Sequence, residues 1–325
     1  MAANKLIGID LGGTTTKMAF LTTDGQILDK WQIDTDISEN GSHIVPNIIK
    51  SINETMDNAN HVKSDFIGIG MGTPGTVNRE KGTVTGAYNL NWTTPQPIKE
   101  QIEKGIGLPF VADNDANAAS LGESWRGAGS KESDVVFVTL GTGVGGGVIV
   151  DGELVHGING AAGEIGHITV VQNGYLCTCG KRGCLEQYAS ATGIVHVAKD
   201  LAATFTGTSR LKELEDAREE ITSKIIFYLA DNGDILANQV VDRVCSYLGL
   251  ALGNIGNIFN PGSIVIGGGV SNAGNTLLQP TTRYFQENAF KPVRDSTRIR
   301  LAQLGNDAGV MGAAELAEKA FGSNK

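Results

Sequence analysis

The sequence predicts an α/β protein built from two duplicated halves. Three observations predict it. A strand, a glycine loop, a second strand and an Asp-Gly turn open the chain. The same unit returns near the middle. The 325 residues are too many for one ordinary core and suit two domains.

In the first copy, residues 5–10 (KLIGID) read as a strand, LGGTTT as a tight loop and KMAFLTT as a second strand. Asp24-Gly25 is a hairpin turn, because both residue types tolerate positive φ, and QILDKWQI follows as a third strand. In the second copy, 135–140 (VVFVTL) is a strand, GTGVGGG a glycine loop and VIV a strand. Asp151-Gly152 repeats the turn before ELVHG. Between the copies, 43–59 reads as a helix, 66–72 (FIGIGMG) as a strand before a TPG loop, and PFVADND as a strand entering the helix ANAASLGESWRG. After the second copy come a cysteine-rich segment and a mostly helical stretch. LKELEDAREEITSKIIFYLADNG is charged on one face, and ILANQVVDRVCSYLGLALGNIGNIF is apolar and buried. The strand SIVIGGG and the helix DAGVMGAAELAEKAF close the chain. No low-complexity linker separates the halves, so the boundary is placed at 113–116. One lobe spans 1–115, with the helix at 307–321 expected to pack back on it, and the other spans 116–306.

Twenty-six basic against thirty-five acidic residues give a net charge of −9. An acidic surface excludes proteins built to coat nucleic acid or anionic membrane. No apolar run reaches membrane-spanning length, and MAANKLIGID lacks the basic and apolar regions of a signal peptide. The expected location is the cytoplasm. Of four cysteines, Cys245 reads as a buried thiol, while Cys177, Cys179 and Cys184 crowd into eight residues. In a reducing compartment such a cluster points to metal rather than to disulfides.

Two glycine loops, Gly12-Gly13-Thr14 and Gly141-Thr142-Gly143, sit at turns between strands. Without Cβ atoms the backbone can approach a phosphate and aim N–H groups at it. Either loop alone fits an ordinary hairpin equally well. Their duplicated placement, with a third glycine run at 267–269, favours phosphate binding. Asp10 ends the strand before the first loop, where a carboxylate would hold Mg²⁺ directly or through water. Lys17 lies just beyond, with its direction open. Gly141, Gly143 and Gly146 also fit G-x-G-x-x-G, but strand-turn-strand follows where a dinucleotide fold needs a helix, so that reading is rejected. The phosphate-loop pattern G-x-x-x-x-G-K-[ST] is absent.

Asp113-Asn114-Asp115 stands where a strand enters a helix. A carboxylate there can accept a proton from a hydroxyl, with the neighbouring amide fixing a sugar. One of the two aspartates is expected to cap the helix instead, and local sequence does not separate base from cap. AAGEIGH supplies Glu164 and His167, and Glu186 follows the last of the three cysteines. One His and three Cys complete a tetrahedral Zn²⁺ set with no open position, hence a structural zinc. It would fix the loop so that Glu164, His167 and Glu186 converge.

The sequence resembles the ROK family of repressors and sugar kinases over essentially its whole length. The resemblance rests on DLGGTTTK (10–17), GTPG (72–75), DNDANAA (113–119), LGTGVGGG (140–147), GAAGEIGH (160–167), CTCGKRGCLE (177–186) and NPGSIVIGGGV (260–270). Within the family it is most similar to bacterial glucokinases. The resemblance implies an actin-like, ribonuclease H-like duplicated two-lobed fold with ATP and a hexose in an inter-lobe cleft. It implies that Asp115 is the base, and that Gly75, Asn114, Glu164, His167 and Glu186 hold the sugar. It places the ATP phosphates at the loops around Gly12, Gly13 and Thr14 and around Gly141, Thr142 and Gly143, with Asp10 beside them as the Mg²⁺ carboxylate. Gly268 and Gly269 would lie near adenosine, and His167, Cys177, Cys179 and Cys184 would hold zinc. The implied reaction is ATP- and Mg²⁺-dependent phosphorylation of the glucose 6-hydroxyl, opening glycolysis, by a homodimer. Fructose, mannose and N-acetylmannosamine remain alternative substrates, with Asn89-Leu90-Asn91-Trp92 favouring glucose. A non-catalytic sugar sensor and a sugar-independent actin-like ATPase are the readings from other classes. The first strand begins at Lys5, which leaves no room for the helix-turn-helix of the family's repressors.

Overall fold

The structure is a computed structural model that describes residues 3–130 and 132–322. Met1 and Ala2, the first residues of the MAANKLIGID segment read above, lie outside them. The chain forms two compact units.

The first unit comprises Met1–Ser130, His156–Ala161 and Asn306–Lys325. Its early part runs β1 (Lys5–Leu11), β2 (Thr15–Thr22), β3 (Ile27–Asp34), a short turn α1 (Ser38–Gly41), and helix α2 (Ile44–Asn58). It continues through β4 (Phe66–Thr73), the small hairpin β5 (Thr76–Asn78) and β6 (Thr83–Thr85), α3 (Ile98–Ile106), β7 (Phe110–Asn114) and α4 (Asp115–Arg126). The sheet order is β3-β2-β1-β4-β7, with β1–β3 antiparallel and β4 and β7 parallel to β1. The second unit comprises Lys131–Val155 and Ala162–Gly305. It holds β8 (Val135–Leu140), β9 (Val144–Val150), β10 (Glu153–Leu154), α5 (Glu186–Ala189), α6 (Ala191–Thr204), α7 (Arg210–Asp216), α8 (Ser223–Asp231) and α9 (Ile235–Phe259). β11 (Ser263–Gly267), α10 (Asn275–Asn288), α11 (Lys291–Ser296) and β12 (Arg298–Leu301) complete it. Its sheet order, β10-β9-β8-β11-β12, repeats that of the first unit strand for strand and in the same senses. The duplication read from two glycine loops and two Asp-Gly turns is therefore a duplication of topology. The last helix, α12 (Ala308–Phe321), returns to the first unit.

The expected boundary at 113–116 differs from this division, which falls after Ser130 and gives α4 to the first unit. The reason is packing between α4 and α12. A Cβ on Gly312 would fall 1.6 Å from the Ala118 carbonyl oxygen, and one on Gly122 2.2 Å from that of Ala308. Helix backbones this close leave α4 on the sheet that carries α12.

The alternation in FIGIGMG explains how the first sheet takes helices on both faces. Ile69 and Met71 point into a core with Ile48 and Ile52 of α2 and Ile102 of α3. Gly68, Gly70 and Gly72 point the other way, against Phe321, Ala313 and Ala118. A Cβ on Gly70 would lie 1.7 Å from the Ala313 carbonyl oxygen, and backbone cannot yield as a side chain can. Gly70→Ala is thus expected to destabilise the fold by about 1–3 kcal/mol or more, as overpacked cores do. A lower urea midpoint at unchanged slope would record it; an unchanged midpoint would mean that α12 does not pack this way in solution. In the second unit α9 is buried along much of its circumference, among Val136 and Val138 of β8 and Ile194 of α6. Among the described residues no helix is long and apolar enough to cross a membrane.

Candidate active site

In the first unit the candidate residues gather at one end of the sheet. Pairing sets Lys17, Asp10, Gly72 and Asp113 in one row across β2, β1, β4 and β7, with Thr73 opposite Asn114 one step on. The glycine loop follows β1 directly and is narrower than read, because β2 already begins at Thr15. It is braced from inside. Gly12 N–H donates to the Thr15 carbonyl (3.1 Å), and the Thr35 hydroxyl donates to the Gly12 carbonyl (2.8 Å). Thr14 remains exposed. Asn89, on the loop singled out in the sequence, lies against Gly13.

Lys17, whose direction the sequence left open, turns toward Asp10. Its Nζ lies 3.8 Å from Asp10 Oδ2 and donates to the Asn306 carbonyl at 3.3 Å. Burial pushes the Asp10 carboxyl above its ordinary value; Lys17 opposes this, and the negative charge of Asp115 adds to it. A carboxylate whose proton affinity is raised by a second one fits a divalent cation, and Asp10 beside the glycine loop is the ligand such a Mg²⁺ would use.

Asn114 ends β7 in an extended conformation and caps α4: its Oδ1 accepts from Ala116 N–H at 2.9 Å. This corrects the expectation that one of the aspartates is the cap. The Asn114 amide also acts on the neighbouring Asp115 carboxylate, which it stabilises in its charged form. Asp115 Oδ1 also accepts from Ala116 N–H, at 2.8 Å. Asp115 reaches solvent. Even so, the protein packed around its carboxylate removes enough hydration to push it above its ordinary value, while the Ala116 N–H pulls the other way. Asp113 has a different role. It is buried and its carboxyl is held low; burial opposes this, and hydrogen bonds from His156, Asn117 and Asn114 outweigh it. Gly75 follows β4 with φ +91°, packed against Ala87 and the Thr85 carbonyl.

In the second unit, His167, Cys177, Cys179 and Cys184 bring one donor atom each within 4.8 Å of one another. Cys179 Sγ and Cys184 Sγ are 3.7 Å apart, as are Cys177 Sγ and His167 Nδ1. The edge of a tetrahedron with Zn–S bonds of about 2.3 Å is about 3.8 Å, so the set fits zinc. Burial and the neighbouring thiols push the Cys184 thiol up to about 12, and a bound dication reverses such a shift by taking the thiolate. Backbone bonds shape the loop: Cys177 N–H donates to the Lys181 carbonyl (2.8 Å) and Gly180 N–H to that of Cys177 (2.9 Å). Lys181 Nζ ties it to the His167 carbonyl at 2.8 Å.

His167 presents Nδ1 to the thiols and Nε2 toward Glu164, whose Oε2 lies 4.0 Å away. Glu186, the first residue of α5, accepts from Val144 N–H at 3.1 Å through Oε2, with Oε1 4.0 Å from Cys177 Sγ. One carboxylate thereby joins the cysteine cluster to the second glycine loop. Glycine at 143 permits this, since a Cβ there would lie 2.6 Å from Glu186 Oε2. Thr142 is exposed above the loop. Gly268 (φ +81°) and Gly269 follow β11 at the same sheet end, Gly268 resting on the backbone of Leu140. The structure thus assembles the sequence-selected residues in two groups, one in each unit.

Comparison with known proteins gives a family profile, ROK, matching residues 6–320. The glucokinase of Halalkalibacterium halodurans is 46% identical over 96% of this chain and 94% of its own. That of Thermotoga maritima is 36% identical over 98% of each chain. Among solved structures, a ROK family glucokinase from Streptomyces griseus in complex with glucose and AMPPNP superposes with a TM-score of 0.75 at 34% identity, covering 97% of this chain and 99% of that one.

Proposed function

The chain belongs to the ROK family and has its actin-like two-lobed fold; from that premise we propose that it is an ATP-dependent glucokinase transferring phosphate to the 6-hydroxyl of glucose. The observation that carries this reading is the pairing at the head of α4. Asp115, a carboxylate with raised proton affinity, stands near enough to Asp10 for their charges to interact, and Asp10 borders the first glycine loop. A proton acceptor beside a phosphate site is what transfer to a hydroxyl needs. Near-full-length identity to glucokinases supports glucose as the sugar. Cytoplasmic location and a homodimer belong to the same reading.

In this mechanism the Asn114 amide, Glu164, His167 through Nε2, Glu186 and the backbone at Gly75 hold the sugar hydroxyls. Asp115 accepts the 6-hydroxyl proton as that oxygen attacks the γ-phosphorus, and the bond from that phosphorus to the bridging oxygen breaks, with ADP as the leaving group. Backbone N–H groups around Gly12–Thr14 and Gly141–Gly143 bind phosphate oxygens, and Gly268 and Gly269 border the adenosine. Mg²⁺ held at Asp10 supplies charge neutralisation on those oxygens. Zinc held by His167, Cys177, Cys179 and Cys184 supplies rigidity to the loop bearing Glu164 and Glu186.

The sign of the pH dependence follows. A base must be ionised to work, and the Asp115 pKa is raised from 3.8. Activity is therefore lost as pH falls through a value above 3.8, and the acid limb of kcat/KM should lie there. A limb at or below 3.8 that moves in an Asp115 variant would contradict the raised value. The reading itself is tested by supplying Mg-ATP and a panel of hexoses, following ADP release and locating the new phosphate by NMR. Glucose-dependent release with phosphate on O6 supports it. Faster turnover of fructose, mannose or N-acetylmannosamine would change the substrate, and no sugar-dependent release would remove the kinase reading.

A further inference from the structure

Asp113 is the first residue of the DND run, and the mechanism above does not use it. Its side chain is only 4% exposed, yet it is charged, and each oxygen is engaged. Oδ1 accepts from Asn114 N–H at 2.8 Å and from Asn117 Nδ2 at 2.9 Å. Those bonds clasp the last peptide of β7 and a side chain in the first turn of α4, so they span Asp115. Oδ2 lies 2.6 Å from His156 Nε2. Arg79, which follows β5, places Nη1 2.9 Å from both His156 Nδ1 and His156 Nε2, over the imidazole ring, and Nε 3.7 Å from Asp113 Oδ2.

The chemistry of these atoms assigns the protons. A carboxylate only accepts, so His156 Nε2 carries the hydrogen. Arg79 Nη1, equidistant from the two ring nitrogens, packs its guanidinium on the imidazole and holds the ring in place. Arg79 thus holds the ring, His156 donates to Asp113, and the aspartate accepts from the backbone beside the proposed base. A buried carboxylate that loses such a donor is left with an unmet acceptor, which costs more than the bond alone contributes.

We propose that His156, held by Arg79, is a positioning residue that acts through Asp113 to fix the Asn114–Asp115 turn. The inference rests on the reading of Asp115 as the base. It extends that reading to two residues, 77 positions apart, that touch no proposed substrate atom. Misplacing a catalytic group by about 1 Å can cost about 100-fold in rate, so a rigid turn has a direct kinetic consequence.

The test compares wild type with His156→Ala and His156→Gln, whose amide keeps one N–H for the carboxylate. Hydrogen–deuterium exchange is followed across peptides covering 112–118, and steady-state kinetics are run on glucose with Mg-ATP. In His156→Ala, exchange over 112–118 should accelerate while the sheet and α12 remain protected. Its kcat should fall about 10–100-fold, the scale seen when outer-shell partners are removed, with KM for ATP little changed. His156→Gln should recover much of both. Unchanged exchange over 112–118 in His156→Ala overturns the proposal. So does acceleration spread evenly over the chain, which would make His156 a general stabiliser. Should wild type phosphorylate no hexose, the kinase reading fails, while the exchange result still decides whether His156 holds the turn.

Discussion

Asp115→Asn is expected to lower kcat about 100- to 10,000-fold, the range that a positioned general base contributes, while glucose binding persists. The substitution is nearly isosteric, and an asparagine Oδ1 can still accept from Ala116 N–H, the bond that Asp115 makes at 2.8 Å. What disappears is the ability to take a proton. Steady-state kinetics beside calorimetric titration with glucose separate the two effects. A variant with near wild-type kcat would assign proton acceptance elsewhere. A second consequence is electrostatic. The charge of Asp115 raises the Asp10 pKa, so its removal should move the Asp10 titration toward lower pH, which carboxyl-carbon NMR would detect.

Cys179→Ser is expected to remove bound zinc and most of the activity together. Cys179 is the exposed member of the cluster, while Cys177 and Cys184 are buried. Its replacement therefore perturbs the core least and the ligand set most. A hydroxyl is a poor substitute for a thiolate, and structural zinc sites in small domains bind with apparent free energies of about 10–16 kcal/mol, enough to hold a loop. Without it, Cys177, which stands 4.0 Å from Glu186 Oε1, is no longer held, and Glu186 keeps its bond from Val144 N–H alone of these two contacts. A fall in kcat/KM of at least about tenfold is expected, in line with other supports of a ligand shell. Metal analysis and kinetics on the same sample check it, with circular dichroism reporting that the helices around α9 persist. Full activity in metal-free protein would end the structural-zinc reading.

The architecture was legible where local chemistry repeats. Two glycine loops, each followed by an Asp-Gly turn, exposed the duplication because only such residues make those turns cheaply. The ligand cluster was legible because its three thiols are close in sequence. Other features were carried by distance. Nothing near Asp113 announces His156 or Arg79, 43 and 34 positions away, so the bridge that differentiates the two aspartates was invisible and the cap was misassigned. The segment 211–233, expected to be helical with one charged face, is two helices in the structure. The helix stops at Asp216, Arg218 takes φ +56°, and Thr222 starts α8 by accepting from Ile225 N–H. A threonine followed by serine before an apolar run was the available cue. The amphipathic α3 and α10 are weakly marked in the sequence, with proline at either side of the first and inside the second.

The return of α12 to the first sheet has a consequence for synthesis. The glycine face of β4 waits for a helix encoded after residue 305. Domains ordinarily complete in the order in which they leave the ribosome. Here the lobe begun first is sealed last, after the entire second lobe has emerged, and a chain paused before α12 would display its uncovered glycine-lined sheet to chaperones.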